Sequence, residues 1–284
     1  MLYFGYGSNL DVHNWAEWCE NRGFDPASIE PVGPAWLPDY EPIFHYQSRL
    51  RKGGALDVRP RRGTAAPGAL FRVHDWKGLD AKEGVSGSYY RRIPVTALTD
   101  DGRSHDAITY TVCEDRVRDF VAPGPEYRDV VIRGLRRFGH STTQFEAVAT
   151  GAAPPSTLGT LFVYGTLMTG QRTHDLVSGY LESVEGPARF HGGALVKVDW
   201  YPGMILDDSG VVHGEVFDLR DPEQALRVLD PYEDFLGYGR DDSLYRRSVV
   251  RVLTGGASRL AWAYVYTGDT RSLPLIPSGD WTKP

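Results

Sequence analysis

Two glutamates stand at matching places in this 284-residue chain. Glu83 ends the segment Leu79-Asp80-Ala81-Lys82-Glu83 and Glu233 ends Leu229-Asp230-Pro231-Tyr232-Glu233; each is followed by Tyr-Arg-Arg, at Tyr90–Arg92 and Tyr245–Arg247. Upstream of each lies a glycine turn after a short apolar run, Tyr6-Gly7-Ser8-Asn9-Leu10 and Tyr164-Gly165-Thr166-Leu167. A strand, a glycine turn and a helix in succession present backbone N–H groups at a helix N-terminus, which hold a carboxylate or a developing oxyanion without a charged side chain. Glycine suits such a turn because it permits positive φ and lets a ligand come close to the backbone. A carboxyl group beside those N–H groups has the elements of general acid–base catalysis with electrostatic positioning. Taken singly, each signal has a plain structural reading: glutamate at a helix end is by default a solvated charge, and Y-G-S-N is by default a tight turn. Recurrence in the same order is what favours chemistry.

Other chemistries find less support. The eight histidines show no metal-ligand spacing, so His191 and His213 read as structural or exposed, and no metal site is expected. Ser8 lacks a Ser-His-Asp context and G-x-S-x-G is absent around it. Trp15, Trp18, Trp36, Trp76, Trp200 and Trp262 read as core or rim residues. Cys19 and Cys113 are the only cysteines, which supports neither a disulfide framework nor a thiolate zinc site and fits a reducing compartment. A net charge of −6 with both signs interspersed builds no basic stripe, so nucleic acid is not an expected partner. The start Met-Leu-Tyr-Phe lacks the basic and apolar regions of a signal peptide, and no apolar run is long enough to span a bilayer. A cytoplasmic protein with no membrane partner is the expectation.

The elements that must position these residues also repeat. Leu2–Leu10 (LYFGYGSNL) returns loosely as Leu161–Met168 (LFVYGTLM), Gly53-Gly54-Ala55-Leu56 matches Gly192-Gly193-Ala194-Leu195, and Gly68–Phe71 matches Gly214–Phe217. In the first half a strand over Leu2–Tyr6 precedes a helix with apolar positions Val12, Trp15, Ala16 and Cys19, capped by Ser8 or Asn9 and ended by Gly23. In the second, a strand over Thr160–Tyr164 precedes a helix around His174–Leu181. β-rich stretches follow both Tyr-Arg-Arg segments, at Ile93–Leu98 and Ala107–Val112 and at Ser248–Leu253 and Leu260–Thr267. Ala147–Leu158 (AVATGAAPPSTL) has no periodicity and reads as a linker. The chain is therefore expected to be a tandem duplication: a domain over 1–148, a linker over 149–158 and a domain over 159–284.

These motifs resemble the γ-glutamyl cyclotransferase superfamily over nearly the whole chain. The first half is similar to γ-glutamyl cyclotransferase proper through YFGYGSNL, Gly53-Gly54-Ala55, Glu83-Gly84-Val85 with Ser86–Tyr89, and Pro123–Tyr127. The second is similar to the γ-glutamylamine cyclotransferase branch through FVYGTL, Gly170-Gln171, His174, Tyr201-Pro202, Leu229–Glu233 and LYRR; it departs at Thr173, where that branch usually has Asn, and at Thr166-Leu167. The resemblance implies an α+β fold, each domain a small mixed β-barrel flanked by helices, with the glycine turn at its mouth and the glutamate facing it. It implies no cofactor and no metal, Glu83 and Glu233 as acid/base residues, the turns Tyr6–Leu10 and Tyr164–Leu167 as binders of the glutamyl group, and Gly53, Gly54, Tyr127 and Tyr201 as further substrate contacts. The implied activity is a transferase or lyase reaction releasing 5-oxoproline and a free amine from a small-molecule γ-glutamyl amide. A biosynthetic removal of a γ-glutamyl protecting group, or small-molecule binding without catalysis in one or both halves, are the alternatives. From Ser8-Asn9 against Thr166-Leu167 and Val85 against Phe235, the two pockets are expected to prefer different amines.

Overall fold

Each half of the chain closes a five-stranded barrel in the computed structural model of the protein, which describes residues 1–156 and 158–283. In the first half, β1 (Leu2–Gly5) leads through a 3-10 turn at Ser8–Leu10 into α1 (Val12–Glu20). A long hairpin of β2 (Ile29–Ser48) and β3 (Gly53–Val73) follows, then α2 (Lys77–Glu83), β4 (Tyr90–Leu98), β5 (Ser104–Val112), α3 (Pro125–Arg137) and α4 (Thr143–Ala149). The strand order is β1-β3-β2-β4-β5, and the parallel pairing of β1 with β5, Tyr3 opposite Ile108, closes the ring. The second half runs β6 (Thr160–Val163), α5 (Asp175–Ser178), β7 (Leu181–Lys197), β8 (Pro202–Leu219), α6 (Pro222–Tyr232), β9 (Tyr245–Thr254), β10 (Ala257–Tyr266) and β11 (Leu275–Ile276). Here the order is β7-β8-β6-β10-β9, closed by β7 on β9, with β11 added to β7; β6 runs parallel to β10, Leu161 opposite Trp262. This is the expected α+β architecture of two mixed barrels with flanking helices.

By contact density the chain divides into two compact units, Met1–Ala97 with His105–Thr157, and Leu98–Ser104 with Leu158–Pro284. Residues 157, within the expected linker, and 284 lie outside the described residues. α4 covers positions 147–149 that read as linker, because Phe145, Val148 and Ala149 are buried in the first core. Among the described residues no helix is long and apolar enough to cross a membrane.

Several local expectations change. α1 forms with Trp15 and Cys19 buried, but its cap is Asp11, whose carboxylate accepts from the His13 and Asn14 N–H groups at 3.0 and 3.2 Å. Ser8 and Asn9 belong instead to the 3-10 turn, which leaves their side chains for other partners. The helix expected around His174–Leu181 is one turn, because Gly179 ends it and Leu181 already starts β7. The match of Gly53–Leu56 with Gly192–Leu195 does not survive folding: the former opens β3, whose counterpart is β8, whereas the latter lies within β7. The topological counterpart of Leu56 is Pro202, fifteen residues before Phe217 as Leu56 is before Phe71. Tyr90 and Tyr245 mark the same equivalence by donating to the Leu56 and Pro202 carbonyls at 3.0 and 2.8 Å.

Candidate active site

α2 ends at Glu83 because Gly84 takes the left-handed conformation, φ 66° and ψ 40°. This turns the Glu83 carboxyl toward the Ser8–Leu10 turn, where Oε1 accepts a hydrogen bond from Asn9 Nδ2 at 2.8 Å. The second amide hydrogen of Asn9 goes to the Tyr3 hydroxyl at 3.0 Å, so the buried Asn9 is held from two sides. Within the turn, the Leu10 and Asp11 N–H groups donate back to the Gly7 and Ser8 carbonyls. The Ser8 and Asn9 N–H groups stand at its N-terminal end, where no carbonyl of the turn reaches them. Arg51, from the β2–β3 connection, places Nη2 3.1 Å from Ser8 Oγ and stacks its guanidinium on the Tyr127 ring at 5.1 Å. The Leu56 N–H donates to the Tyr127 hydroxyl at 3.1 Å.

These groups line one cavity of about 810 Å³. Of the residues singled out in the first half, Tyr6, Gly7, Ser8, Asn9, Glu83 and Tyr127 lie on it, while Leu10, Gly53 and Gly54 do not. Leu10 is fully buried against α3, where Gly134 leaves it room: a Cβ there would sit 2.4 Å from Leu10 Cβ. Gly54 lies so close to the segment before α3 that a Cβ would be 2.0 Å from the Val121 carbonyl oxygen, and its N–H donates to the Ala122 carbonyl at 2.8 Å. The glycine pair thus seats the chain leading to Tyr127 rather than meeting the cavity. Sequence reasoning missed Tyr3, Tyr46, Tyr90, Arg51 and Lys82, all on the cavity wall. Tyr90 opens the recurring Tyr-Arg-Arg and carried a signal; Arg51 sits in the β2–β3 connection, whose counterpart between β7 and β8 has no arginine, and carried none.

In the second half Glu233 follows α6 directly, its N–H bonded to the Leu229 carbonyl at 2.9 Å. Asp234 takes the left-handed position that Gly84 holds in the first half, φ 49°. Glu233, Tyr164, Gly165, Thr166, Leu167 and Tyr201 all line a smaller cavity, about 230 Å³. Neither turn glycine has positive φ; Gly165 is there for closeness, since a Cβ would stand 2.6 Å from Pro202 Cγ. Leu167 replaces Asn9, and among the described residues no side-chain amide is bonded to Glu233. Phe235 does not line this cavity: it is buried under the Arg247 guanidinium, 5.2 Å from its ring, and against Tyr238. The bulk of Phe235 against Val85 therefore says nothing of amine preference.

Behind both glutamates the same support recurs. Three residues before Glu83, Asp80 accepts from Arg92 Nε and the Tyr110 hydroxyl, both at 2.8 Å. Three residues before Glu233, Asp230 accepts from Arg247 Nη1 at 2.6 Å and the Tyr264 hydroxyl at 2.8 Å. Tyr6 and Tyr164 donate to the carbonyls of those same tyrosines, Tyr110 and Tyr264, at 2.7 and 2.6 Å.

The two carboxyls are tuned differently. Both keep some solvent access through their cavities but are packed by protein on the other sides, and burial is the main influence on each. Burial pushes Glu83 above the ordinary carboxylate range, while Lys82, the Asn9 amide and Arg51 draw it back. Burial also pushes the adjacent Lys82 ammonium down to about 8. Glu233 has no such compensation; burial, then Asp230 and Asp234, push it up to about 8. Burial keeps the Tyr3, Tyr6, Tyr90, Tyr164 and Tyr264 phenols neutral, as hydrogen-bond partners.

The Glu233 shift has a sign for stability. Below the unfolded-state value of about 4.3, Glu233 is protonated in both states and its contribution is intact. As pH rises to about 8, the unfolded chain releases the proton first and the folded state loses stability, at most about 1.4 kcal/mol per pH unit and less for the access to water through the cavity. Glu233→Gln is expected to flatten this slope. Urea melts of both proteins between pH 5 and 9 measure it, and parallel curves would contradict the assigned burial.

A family model described as "Gamma-glutamyl cyclotransferase, AIG2-like" matches residues 3–129 and again residues 161–283. Among curated proteins, the gamma-L-glutamyl-butirosin B gamma-glutamyl cyclotransferase of Niallia circulans is 31% identical over 109 residues, 38% of this chain and 67% of that protein. The gamma-glutamylcyclotransferase family protein YtfP of Escherichia coli (strain K12) is 31% identical over 122 residues, 43% of this chain and 94% of its own. Gamma-glutamylaminecyclotransferase of Bos taurus is 29% identical over 160 residues, 52% and 82% of the two chains. With both barrels matched and both cavities built alike from a glycine turn and a facing glutamate, the chain belongs to the γ-glutamyl cyclotransferase, AIG2-like family, twice over.

Proposed function

We propose that the protein is a γ-glutamyl cyclotransferase with an acid–base glutamate in each barrel, Glu83 and Glu233. The observation that carries this reading is the shared one: a carboxyl that shares its cavity with a glycine turn, on a helix end braced by an aspartate three residues earlier that an arginine and a tyrosine hold. In a γ-glutamyl amide the α-amine nitrogen attacks the γ-carbonyl carbon, a five-membered ring closes, and the C–N bond to the leaving amine breaks. The attacking ammonium gives up one proton before attack and a second as the ring closes, while the departing nitrogen takes up one and leaves as the neutral amine. A single carboxyl can pass a proton from the first nitrogen to the second, the other proton goes to solvent, and no water is consumed. A carboxyl with its pKa raised toward neutrality suits both directions of transfer.

The protein's other task is to fold the flexible glutamyl chain. Orientation of intramolecular partners is worth at most about 7–11 kcal/mol of a barrier. In the first cavity the Ser8 hydroxyl, the Ser8 and Asn9 N–H groups and Arg51 suit the substrate α-carboxylate. In the second the Thr166 and Leu167 N–H groups take that part without an arginine. No cofactor enters this scheme, and a γ-glutamyl amide is the partner. A panel of γ-glutamyl amino acids, γ-glutamylamines and glutathione assayed for 5-oxoproline tests it; release from none of them would refute the proposal.

A further inference from the structure

The first cavity differs in charge from the chain that builds it. The protein carries a net charge of −6, yet this wall and mouth hold Arg22, Arg49, Arg51, Lys82, Arg116 and Arg118 against one carboxylate, Glu83. Arginines kept for structure are normally paired. Among the described residues only Arg116 of these forms an ion pair, with Asp115 at 3.4 Å. Arg51 and Lys82 share the neutral Asn14 Oδ1, each at 3.4 Å, and lie over aromatic rings of Tyr127, Trp15 and Trp18. Like charges around one concave space repel unless an anion enters it, and they raise the local concentration of anions. The second cavity is the internal contrast: it has no arginine or lysine on its wall and adds Asp234 to Glu233.

On the cyclotransfer reading, Glu83 answers one of these cations and the substrate α-carboxylate answers Arg51. Arg22, Arg49 and Arg118, all exposed at the rim, still face the space beyond the glutamyl group. We infer that the first cavity selects γ-glutamyl amides whose leaving amine carries two or more negative charges, and that Arg22, Arg49 and Arg118 recognise them. The shared chemistry is a polyanionic amine, whose charges come either from carboxylates, as in an acidic amino acid or a γ-linked glutamyl chain, or from a phosphate ester.

The test uses the full chain with Glu233→Gln, which removes the second barrel's contribution. Values of kcat/KM for 5-oxoproline release are compared for γ-glutamyl-glutamate, γ-glutamyl-phosphoethanolamine, γ-glutamyl-alanine and γ-glutamyl-butylamine. The dianionic amides are expected to exceed the butylamide by about tenfold or more, with the difference shrinking between about 0.02 and 0.5 M salt as screening shortens. Adding Arg49→Ala and Arg118→Ala is expected to lower the anionic-to-neutral ratio by about tenfold, through KM. The first two substrates tell carboxylate from phosphate. A ratio near one, or one that neither salt nor the arginine changes move, overturns the charge selection while cyclotransfer stands. No release from any of the four overturns cyclotransfer in this barrel and the inference with it.

Discussion

Replacing both Glu83 and Glu233 by glutamine is expected to lower 5-oxoproline release by roughly 10²–10⁴-fold, the usual worth of a positioned proton carrier. Glutamine keeps the size of the side chain, and its carbonyl still accepts from Asn9 Nδ2, which reaches Glu83 Oε1 at 2.8 Å in the native protein. What is lost is the ability to take a proton from the substrate ammonium and return it to the leaving nitrogen. Far-ultraviolet circular dichroism should be unchanged, because neither carboxyl anchors its barrel: the bracing bonds are made by Asp80 and Asp230. The single variants divide the activity between the barrels. They also separate the pH limbs, since in kcat/KM the Glu233 barrel should gain activity as pH rises through about 8, whereas the Glu83 barrel, eased by Lys82, Asn9 and Arg51, should gain it at lower pH. Undiminished release by the double variant would remove both carboxyls from the chemistry.

The parts of this arrangement that could be read from sequence are those that recur. Glycine turns and helix-terminal glutamates carry local backbone signals, and the duplication presents each twice, so the turn residues and glutamates singled out all reach a cavity except Leu10. Recurrence misled where it was too short to fix topology, as with Gly192-Gly193, which a bulge rather than a turn explains: the pairing of β7 with β8 shifts register between His191 and Gly193. The strand Ile29–Ser48 is hard to read from residue types, since it contains Pro31, Pro34, Pro38 and Pro42, and proline is disfavoured inside a paired strand. Pro31 and Pro38 fall at register shifts, Pro31/Gly33 and Pro38/Tyr40, while Pro34 and Pro42 stay in register opposite Ala69 and Val58. The arginines of the first cavity were illegible for a different reason. Arg22, Arg51 and Arg118 come from separate connections, and only the closed barrel brings them around one space.

Arg247→Met is expected to destabilise the second barrel by about 3–5 kcal/mol, since it leaves the Asp230 carboxylate buried without its cation. The pair is sealed, with side-chain exposures of 0% and 1%, and Arg247 is also enclosed by the rings of Phe235, Tyr238 and Trp262. The melting transition of this barrel should fall by roughly 10 °C or more in scanning calorimetry. The counterpart Arg92→Met meets a different setting, because Arg92 and Asp80 each keep 34% exposure and water can take over the carboxylate. Its cost should stay near about 1 kcal/mol. One further reading separates charge from packing. Asp230→Asn combined with Arg247→Met should recover much of the loss, because no unpaired charge remains. If Arg247→Met melts with the native protein, or if the double change is worse than the single, the buried pair is not what holds the Glu233 helix end in place.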